Sequence, residues 1–111
     1  MSMLVDVDTC DIYTYDGDYG IGIIFDIDNL VDGEKIIVAF DNYISQKEFT
    51  VDGDSISFSL ALTESDVSNI PEHNYTLTIP YSIKRYKENR HIDTIVSAYI
   101  KIMGVTNLDP K

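Results

Sequence analysis

The segment Leu60–Ile83, LALTESDVSNIPEHNYTLTIPYSI, decides the class of fold that the chain adopts. Thr63 fits the N-cap of a short helix, because Asp66 stands three residues later, where the acidic residue of a capping box is found. Pro71 disfavours helical dihedral angles in the residue before it, so the helix should end at Ile70. The sequence therefore predicts one short helical turn near residues 63–70.

The second half of the segment alternates between apolar and polar residues. Leu77 and Ile79 are separated by Thr78, which is the period of two that is typical of a half-buried strand. Pro80 has no N–H group, so we expect an edge position or a β-bulge there. The segment thus predicts a strand, a short helix that crosses between two sheets, and a second strand.

The same alternation recurs along the chain. It predicts one or two short strands within 4–15, and further strands at 19–28, 35–41, 47–51, 55–60 and 91–103. Asp52-Gly53-Asp54 lies between two of these segments and predicts a tight hairpin of 47–51 with 55–60. Gly20 and Gly22 share one face of the 19–28 strand, which indicates a bulge or the close approach of another backbone.

These patterns predict an all-β fold. We expect an antiparallel two-sheet β-sandwich of immunoglobulin-like size, with a small barrel as the alternative, because seven or eight short strands are separated by regular turn signals. The length of 111 residues favours a single domain over 1–111, with 104–111 as a C-terminal tail.

The chain is strongly acidic, and its charge is unevenly distributed. The net charge is −11, of which residues 1–66 contribute −13 and residues 67–111 contribute +2. Such a surface repels nucleic acid and anionic membranes and attracts basic partners. Much of the aspartate lies in turn segments, where its side chain commonly accepts hydrogen bonds from the local backbone. We therefore expect neither direct nucleic-acid binding nor membrane binding.

No pattern of residues indicates catalysis. His73 and His91 stand in predicted loops, where we expect them to face solvent, and neither belongs to a nucleophile motif. Cys10 is the single cysteine, so an intramolecular disulfide is excluded, and a partly buried thiol is expected. The sequence thus predicts a protein that is not an enzyme and has no catalytic, cofactor-binding or metal-binding residues.

Calcium binding is the one cofactor hypothesis that stays open. Acidic residues are paired at i and i+2 in several places, and paired carboxylates in turns can bind Ca²⁺. The segment 26–33, DIDNLVDG, superficially resembles a calcium loop, but Leu30 stands where a ligand is required. The pairs considered for calcium are Asp16/Asp18, Asp26/Asp28, Asp32/Glu34 and Asp52/Asp54.

Two neighbouring segments form the predicted partner interface. The last strand carries apolar residues on both faces, which indicates that both faces are covered or that one meets a partner. The segment 84–90 is predicted to be a basic hairpin loop that docks on a partner or on the acidic half of a second copy. The predicted interface residues are Ile95, Tyr99, Met103, Lys84, Arg85, Tyr86, Lys87 and Arg90.

The order and spacing of several motifs resemble a known family. YDGDYG leads into IIFDI, a polar loop with Leu30 and the strand KIIVAF, and SLALTESDVSNIPEHNYTLTI follows later. This arrangement, over about residues 11–103, resembles the N-terminal immunoglobulin-like domain of tailed-phage baseplate upper proteins and related phage minor structural proteins. The resemblance implies a domain that tethers receptor-binding parts to the baseplate core and acts by assembly.

We therefore predict a non-enzymatic phage or prophage structural module. Its partners would be other virion proteins or further copies of the chain. The N-terminal residues do not resemble a signal peptide, and no apolar run is long enough to span a membrane, so we expect the protein in the virion or the host cytoplasm.

Two other functions stay open. The acidic half could mimic nucleic acid, so that the protein inhibits a host nuclease or DNA-binding protein. A calcium-dependent carbohydrate-binding domain is the third hypothesis, in which tyrosines stack on sugar rings. The tyrosines considered for that role are Tyr13, Tyr15, Tyr19, Tyr43 and Tyr86.

Overall fold

The computed structural model describes residues 3–104, which contain eight strands and one helix. The all-β prediction is confirmed at this level, and the helix lies where it was predicted. Most of the predicted tail, residues 105–111, lies outside the described residues. The elements are β1 (Leu4–Val5), β2 (Ile12–Tyr15), β3 (Ile23–Ile27), β4 (Lys35–Phe40), β5 (Lys47–Thr50), β6 (Ile56–Leu60), α1 (Glu64–Asn69), β7 (Thr76–Lys87) and β8 (Arg90–Met103).

The strands form two sheets of unequal size. The larger sheet has the strand order β1-β2-β8-β7-β4-β5, and the smaller sheet consists of β3 and β6. Neighbouring strands are antiparallel except for β2 and β8, which run parallel with Ile12 opposite Ile100. The prediction of wholly antiparallel sheets is wrong at this pair. Parallel neighbours cannot be joined by a tight turn, and here they come from opposite ends of the described chain.

Aromatic stacking joins the two sheets. The ring of Phe58 in β6 stacks on Phe25 in β3 and on Phe49 in β5, with centroid distances of 5.7 and 4.4 Å. Because β5 belongs to the larger sheet, Phe58 is in contact with both sheets. Burying a phenylalanine side chain stabilises a fold by about 1.5–3 kcal/mol. Fully buried side chains from both sheets belong to the same core cluster as Phe58, including Ile36, Val38, Leu60, Ile83, Ile100 and Ile102.

The helix α1 carries the chain from the smaller sheet to the larger one, as predicted. The Thr63 hydroxyl accepts a hydrogen bond from the Asp66 N–H, and the Asp66 carboxylate accepts one from the Thr63 N–H. This reciprocal pair is a complete capping box. Ile70, before Pro71, has extended dihedral angles and ends the helix.

Gly22 is a point of close backbone approach, as the glycine pattern predicted. A Cβ atom placed on Gly22 would lie 2.0 Å from the carbonyl oxygen of Leu60. The smaller sheet can therefore close only because residue 22 has no side chain. The regular strand is shorter than predicted, because β3 begins at Ile23.

The predicted hairpin of 47–51 with 55–60 is wrong. β5 pairs with β4 and β6 pairs with β3, so the Asp52-Gly53-Asp54 turn crosses from one sheet to the other. A single bridge between Asp52 and Ser55 is the only pairing across this turn within the described residues. The alternation in each segment correctly indicated its buried face, but a period of two does not determine which strand lies beside it.

The predicted basic loop at 84–90 is also wrong, because both strands continue through it. β7 extends to Lys87 and β8 starts at Arg90, so that the turn consists of Glu88 and Asn89 alone. Both turn residues have positive φ, at 51° and 65°, which is the geometry of a two-residue hairpin turn. Charged residues are frequent in loops, but in this structure these residues lie in two strands that are paired with each other.

Pro80 lies in an interior strand, between β8 and β4. The Asp41 N–H donates to the Pro80 carbonyl at 3.0 Å, just past the last ladder pair of β4 with β7, Phe40 with Tyr81. In an antiparallel pair the N–H and C=O of one residue point to the same side, so the missing donor faces the place where β4 ends. Pro80 therefore lies at a local edge, where β4 ends, although β7 as a whole is an interior strand.

Replacing Gly22 by alanine is expected to destabilise the protein by about 2 kcal/mol or more, because the new methyl group forces β3 away from β6. Urea unfolding followed by circular dichroism measures the effect. Ser57→Ala, on the exposed side of β6, is the control and should change the stability by less than about 0.5 kcal/mol. Equal stability of the two variants would contradict the close approach at Gly22.

Candidate interaction surface

One side of the larger sheet carries exposed aromatic and apolar residues. Side chains on this side alternate with the buried ones, and we call it the outer face. Tyr99 in β8 is 47% exposed and Leu4 in β1 is 56% exposed, which is unusual for central and paired strand positions. Across the strands the outer face includes Leu4, Tyr13, Tyr15, Lys35, Ile37, Ala39, Glu48, Pro80, Lys84, Tyr86, Tyr99, Lys101 and Met103.

Hydrogen bonds and charge fix the centre of the outer face. The Asp11 carboxylate accepts a hydrogen bond from the Tyr99 N–H at 3.0 Å and lies 3.5 Å from Lys101 Nζ. That ammonium group also lies 5.3 Å from the centre of the Tyr13 ring, within the range of a cation–π contact. Tyr13 first, and then Asp11, raise the pKa of Lys101 above its usual value. These contacts restrict the side chains before any partner binds.

The outer face carries little of the acidic charge of the chain. Its strand residues include three lysines, Lys35, Lys84 and Lys101, and one acidic residue, Glu48. Asp11, just before β2, adds a second carboxylate, which lies 3.5 Å from Lys101. Lys35 and Glu48 are paired with each other at 2.6 Å. The excess of carboxylates therefore lies in the loops and on the other side of the molecule, and repulsion between like charges does not keep a partner from this face.

The predicted interface residues separate into three places. Tyr99, Met103, Lys84 and Tyr86 lie on the outer face, spread along the ladder of β7 and β8 from Met103 opposite Thr76 to Tyr86 opposite His91. Lys87 and Arg90 are exposed beside the turn at the end of the hairpin. The third place is the inner side of the sheet, which contains Ile95 and Arg85.

Ile95 and Arg85 therefore do not lie on the same face as Tyr99 and Met103. Ile95 packs against the core, and the register between β7 and β8 shifts next to it, at Ile83/Lys84. Such a shift is typical of a β-bulge, which changes the side to which a residue points. The simple alternation that placed Ile95 with Tyr99 fails for this reason.

Arg85 forms an internal ion pair. Its Nε lies 2.8 Å from Glu34 Oε1, and Glu34 is almost completely buried. The hydrogen bond from Arg85 lowers the pKa of Glu34, burial acts in the opposite direction, and the Val31 N–H lowers the pKa further. The pair fastens the loop between β3 and β4 to β7, so Arg85 is not available to a partner.

Asp66 is the second buried carboxylate. Burial alone would raise its pKa, but hydrogen bonds from Lys47, from the Thr63 N–H, and from the N–H and hydroxyl of Ser45 outweigh burial and lower the pKa to about 2. Its oxygens are therefore occupied by structural hydrogen bonds. The group connects α1 to the start of β5 and is not placed to act as a catalytic base.

The two histidines differ, and the prediction for His73 is wrong. His91 is exposed beside Tyr86 and lies 3.2 Å from Thr94 Oγ1. The His73 side chain is buried, and its Nδ1 donates a hydrogen bond to the Tyr75 carbonyl at 2.6 Å. The His73 Nε2 lies 3.8 Å from Asp16 Oδ1 and makes no hydrogen bond. One histidine beside one carboxylate offers no nucleophile, so this pair does not form a catalytic triad.

Several aspartates serve the turns that contain them. Asp6 Oδ1 accepts hydrogen bonds from the N–H groups of Asp8 and Thr9, and Asp32 Oδ1 accepts one from Gly53. Within residues 3–104, no three His, Cys, Asp or Glu side chains are grouped so that they could hold a metal ion. Cys10 is a partly buried free thiol. The sequence indicated the turn role correctly from the position of the aspartates.

Part of this surface was not predicted from the sequence. Pro80 and Leu4 lie on the outer face, and Tyr13 was predicted only as a sugar-stacking residue. The pairing of β1 with β2 and of β2 with β8 brings Leu4 and Tyr13 onto the same face as Tyr99. The parallel pairing that sets the neighbours of Tyr13 has no local signal in the sequence.

Comparisons with protein-family models, curated proteins and solved structures found no match to this chain. The helix in the described range is too short to cross a membrane.

Replacing Asp66 by asparagine is expected to destabilise the protein by about 3 kcal/mol at pH 7, because Lys47 loses its buried partner. The folded pKa of about 2 lies below the ordinary value of 3.8, so the carboxylate contributes stability above pH 3.8. This contribution, on the order of 2 kcal/mol, is lost as the pH falls through about 2.

Urea unfolding at several pH values measures both effects. The difference between the wild type and Asp66→Asn should decrease between pH 4 and pH 2. Glu64→Gln, which changes an exposed carboxylate in the same helix, should cost less than about 0.5 kcal/mol at every pH. A difference between Asp66→Asn and the wild type that does not depend on pH would contradict the lowered pKa.

Proposed function

We propose that the chain is a non-enzymatic structural or assembly module of a phage or prophage particle, which connects baseplate or tail components through protein–protein contacts. The observation that carries this proposal is the outer face. Exposed Tyr99 and Leu4 lie in one sheet face with Tyr13 and Pro80, and aromatic side chains are enriched in protein interfaces.

The order of the strands supports the immunoglobulin-like sandwich that is part of the proposal. In that architecture the G, F, C and C′ strands are neighbours in one sheet, and the B and E strands lie in the other. Strands β8, β7, β4 and β5 have the first order, and β3 and β6 have the second. Phe58 packs between the two sheets at the place where a sandwich core would lie.

The proposed mechanism is packing of the outer face against further copies of the chain or against other virion proteins. The tyrosines supply contact area with few rotatable bonds, and Lys101 lies against the Tyr13 ring, so little entropy is lost on binding. Exposed Lys87 and Arg90 at the hairpin end add charge that can pair with an acidic loop of a neighbouring copy. The protein would act in the virion after assembly and in the host cytoplasm before it.

A second proposal is an acidic inhibitor that mimics nucleic acid. The observation in its favour is that carboxylates such as Asp26, Asp28, Asp41 and Asp54 are exposed. Against it, Asp6, Asp11 and Asp32 accept hydrogen bonds from backbone N–H groups, so part of the negative charge serves the fold. Binding to a basic host nuclease that is lost at high salt would favour the inhibitor over the structural module.

Light scattering on a sizing column, at low and at high salt, tests the structural module. We expect a defined oligomer that persists in high salt, because an apolar interface is not screened. Tyr99→Glu should convert this oligomer to a monomer with an unchanged circular dichroism spectrum. The control is Tyr19→Glu, which changes a similarly exposed tyrosine in the connection between β2 and β3 and should leave the oligomer intact.

A wild-type chain that is monomeric at both salt concentrations would contradict self-assembly through the outer face. An oligomer that Tyr99→Glu leaves unchanged would show that a different surface is used.

A further inference from the structure

The smaller sheet has an open edge at β3. One edge of β3 pairs with β6, from Ile23 opposite Leu60 to Ile27 opposite Ile56. In the part of the chain that the structure describes, no strand pairs with the other edge. Backbone N–H and C=O groups that point from such an edge can pair with an added strand.

The open edge of β3 lacks the usual protection. Edge strands are commonly short or carry lysine or proline, which prevent pairing with another chain. β1 has two residues, and β5 starts with Lys47, so both edges of the larger sheet follow this rule. β3, with the sequence IIFDI, has no basic residue and no proline, and Ile24 on its outward side is 62% exposed.

The edge of β3 borders a groove. Phe58 of β6 stacks on Phe49 of β5, at the edge of the larger sheet, so the open edge of β3 faces the opposite way, towards β8. Between β8 and the C-terminal end of β3, with the residues that follow it, the structure forms a groove of about 350 Å³. Its walls include Ile27, Asp28, Leu30, Arg85, Asp93 and Ile95.

The larger sheet extends past β8 along only part of its length. β2 pairs with β8 from Ile100 to Met103, so β2 and β1 lie beyond the C-terminal end of β8, whereas the groove contacts β8 at Asp93, Thr94 and Ile95. On the side of β6 the larger sheet ends at β5. The register of β8 shifts beside the groove, at Ile83/Lys84 and Arg85/Tyr86, and β-bulges of this kind bend a strand and are frequent beside binding sites.

The groove is negatively charged. Asp28 on one wall and Asp93 on the other are exposed, and Asp26 lies on the same edge strand. The one cation in the groove wall, Arg85, is already neutralised by Glu34 at 2.8 Å. The apolar side chains of Ile27 and Ile95 supply the remaining surface. A segment that fits this groove therefore has an extended backbone, basic side chains and apolar side chains.

The charge also argues against a second copy as the occupant. Pairing of two β3 strands would bring the Asp26 and Asp28 carboxylates of both copies into one groove, where like charges are unfavourable. The net charge of −11 adds to this repulsion. We propose that β3 binds an extended basic segment of a partner protein as an additional strand. This inference rests on the proposed assembly function and specifies the chemistry of one partner.

Titration of the full-length chain with a fluorescein-labelled peptide of alternating valine and lysine tests the proposal, with fluorescence anisotropy as the readout. We expect saturable binding that is at least tenfold weaker for the double variant Asp28→Asn/Asp93→Asn. The matched control is Asp41→Asn/Glu72→Gln, which removes the same charge at exposed positions away from the groove and should bind within about twofold of the wild type. A peptide with glutamate in place of lysine should not bind.

Two further measurements separate strand addition from simple charge attraction. A peptide in which every second amide is N-methylated cannot form the ladder and should bind at least tenfold more weakly. Amide hydrogen exchange should slow at alternate residues of Ile23–Ile27 when the unmodified peptide is added. The proposal is overturned if the N-methylated peptide binds equally well, if protection appears at Lys47–Thr50 instead, or if the unmodified peptide does not bind at millimolar concentration.

These outcomes are independent of the light-scattering test. A chain that is monomeric but binds the peptide would contradict assembly through the outer face and leave the β3 site standing. If the wild type is an oligomer that Tyr99→Glu disrupts, but the wild type does not bind the peptide, assembly through the outer face would be supported and the β3 site would be contradicted.

Discussion

The contact of Phe58 with Phe25 and Phe49 is the interaction on which the arrangement of the two sheets depends. A sheet of two strands is marginal in water unless one of its faces is covered. The three stacked rings supply that cover and connect β6 to β5 across the core. The connections before and after β6 also follow from this contact. The Asp52-Gly53-Asp54 turn and helix α1 bring the chain into the smaller sheet and out of it again.

Local signals in the sequence predicted the elements well. The capping box of Thr63 and Asp66 and the close approach at Gly22 were correct because the requirement is local, either a donor three residues away or the absence of a Cβ atom. The buried faces of the strands were also correct. Strand partners were not, because alternation is the same for a hairpin and for two strands in opposite sheets. This is why the pairing of β5 and β6 was wrong.

The predicted interface residues do not all share one face, for a related reason. Tyr99 and Met103 lie on the outer face, whereas Ile95 points inward because the register of β8 shifts beside it. Arg85 points inward with Ile83 by the regular alternation of β7, which was hidden because the segment was predicted to be a loop. A bulge has no simple sequence signal, so alternation cannot be extended through it. The end of β7, residues 84–87, was predicted to be a loop because charged residues are typical of loops. The burial of His73 depends on its neighbours in space and could not be read from the residues beside it.

The parallel pairing of β2 with β8 has a mechanical consequence. β2 enters the sheet near the N-terminus, β8 leaves it near the C-terminus, and four residue pairs join them, from Ile12 with Ile100 to Tyr15 with Met103. A tension applied between the two ends of the chain therefore acts along these strands and loads the pairs in shear. Bonds that are loaded in shear must break together, whereas bonds at the end of a hairpin open one after another. Stretching along the line between the two ends of the chain is therefore resisted by the four β2–β8 pairs acting together.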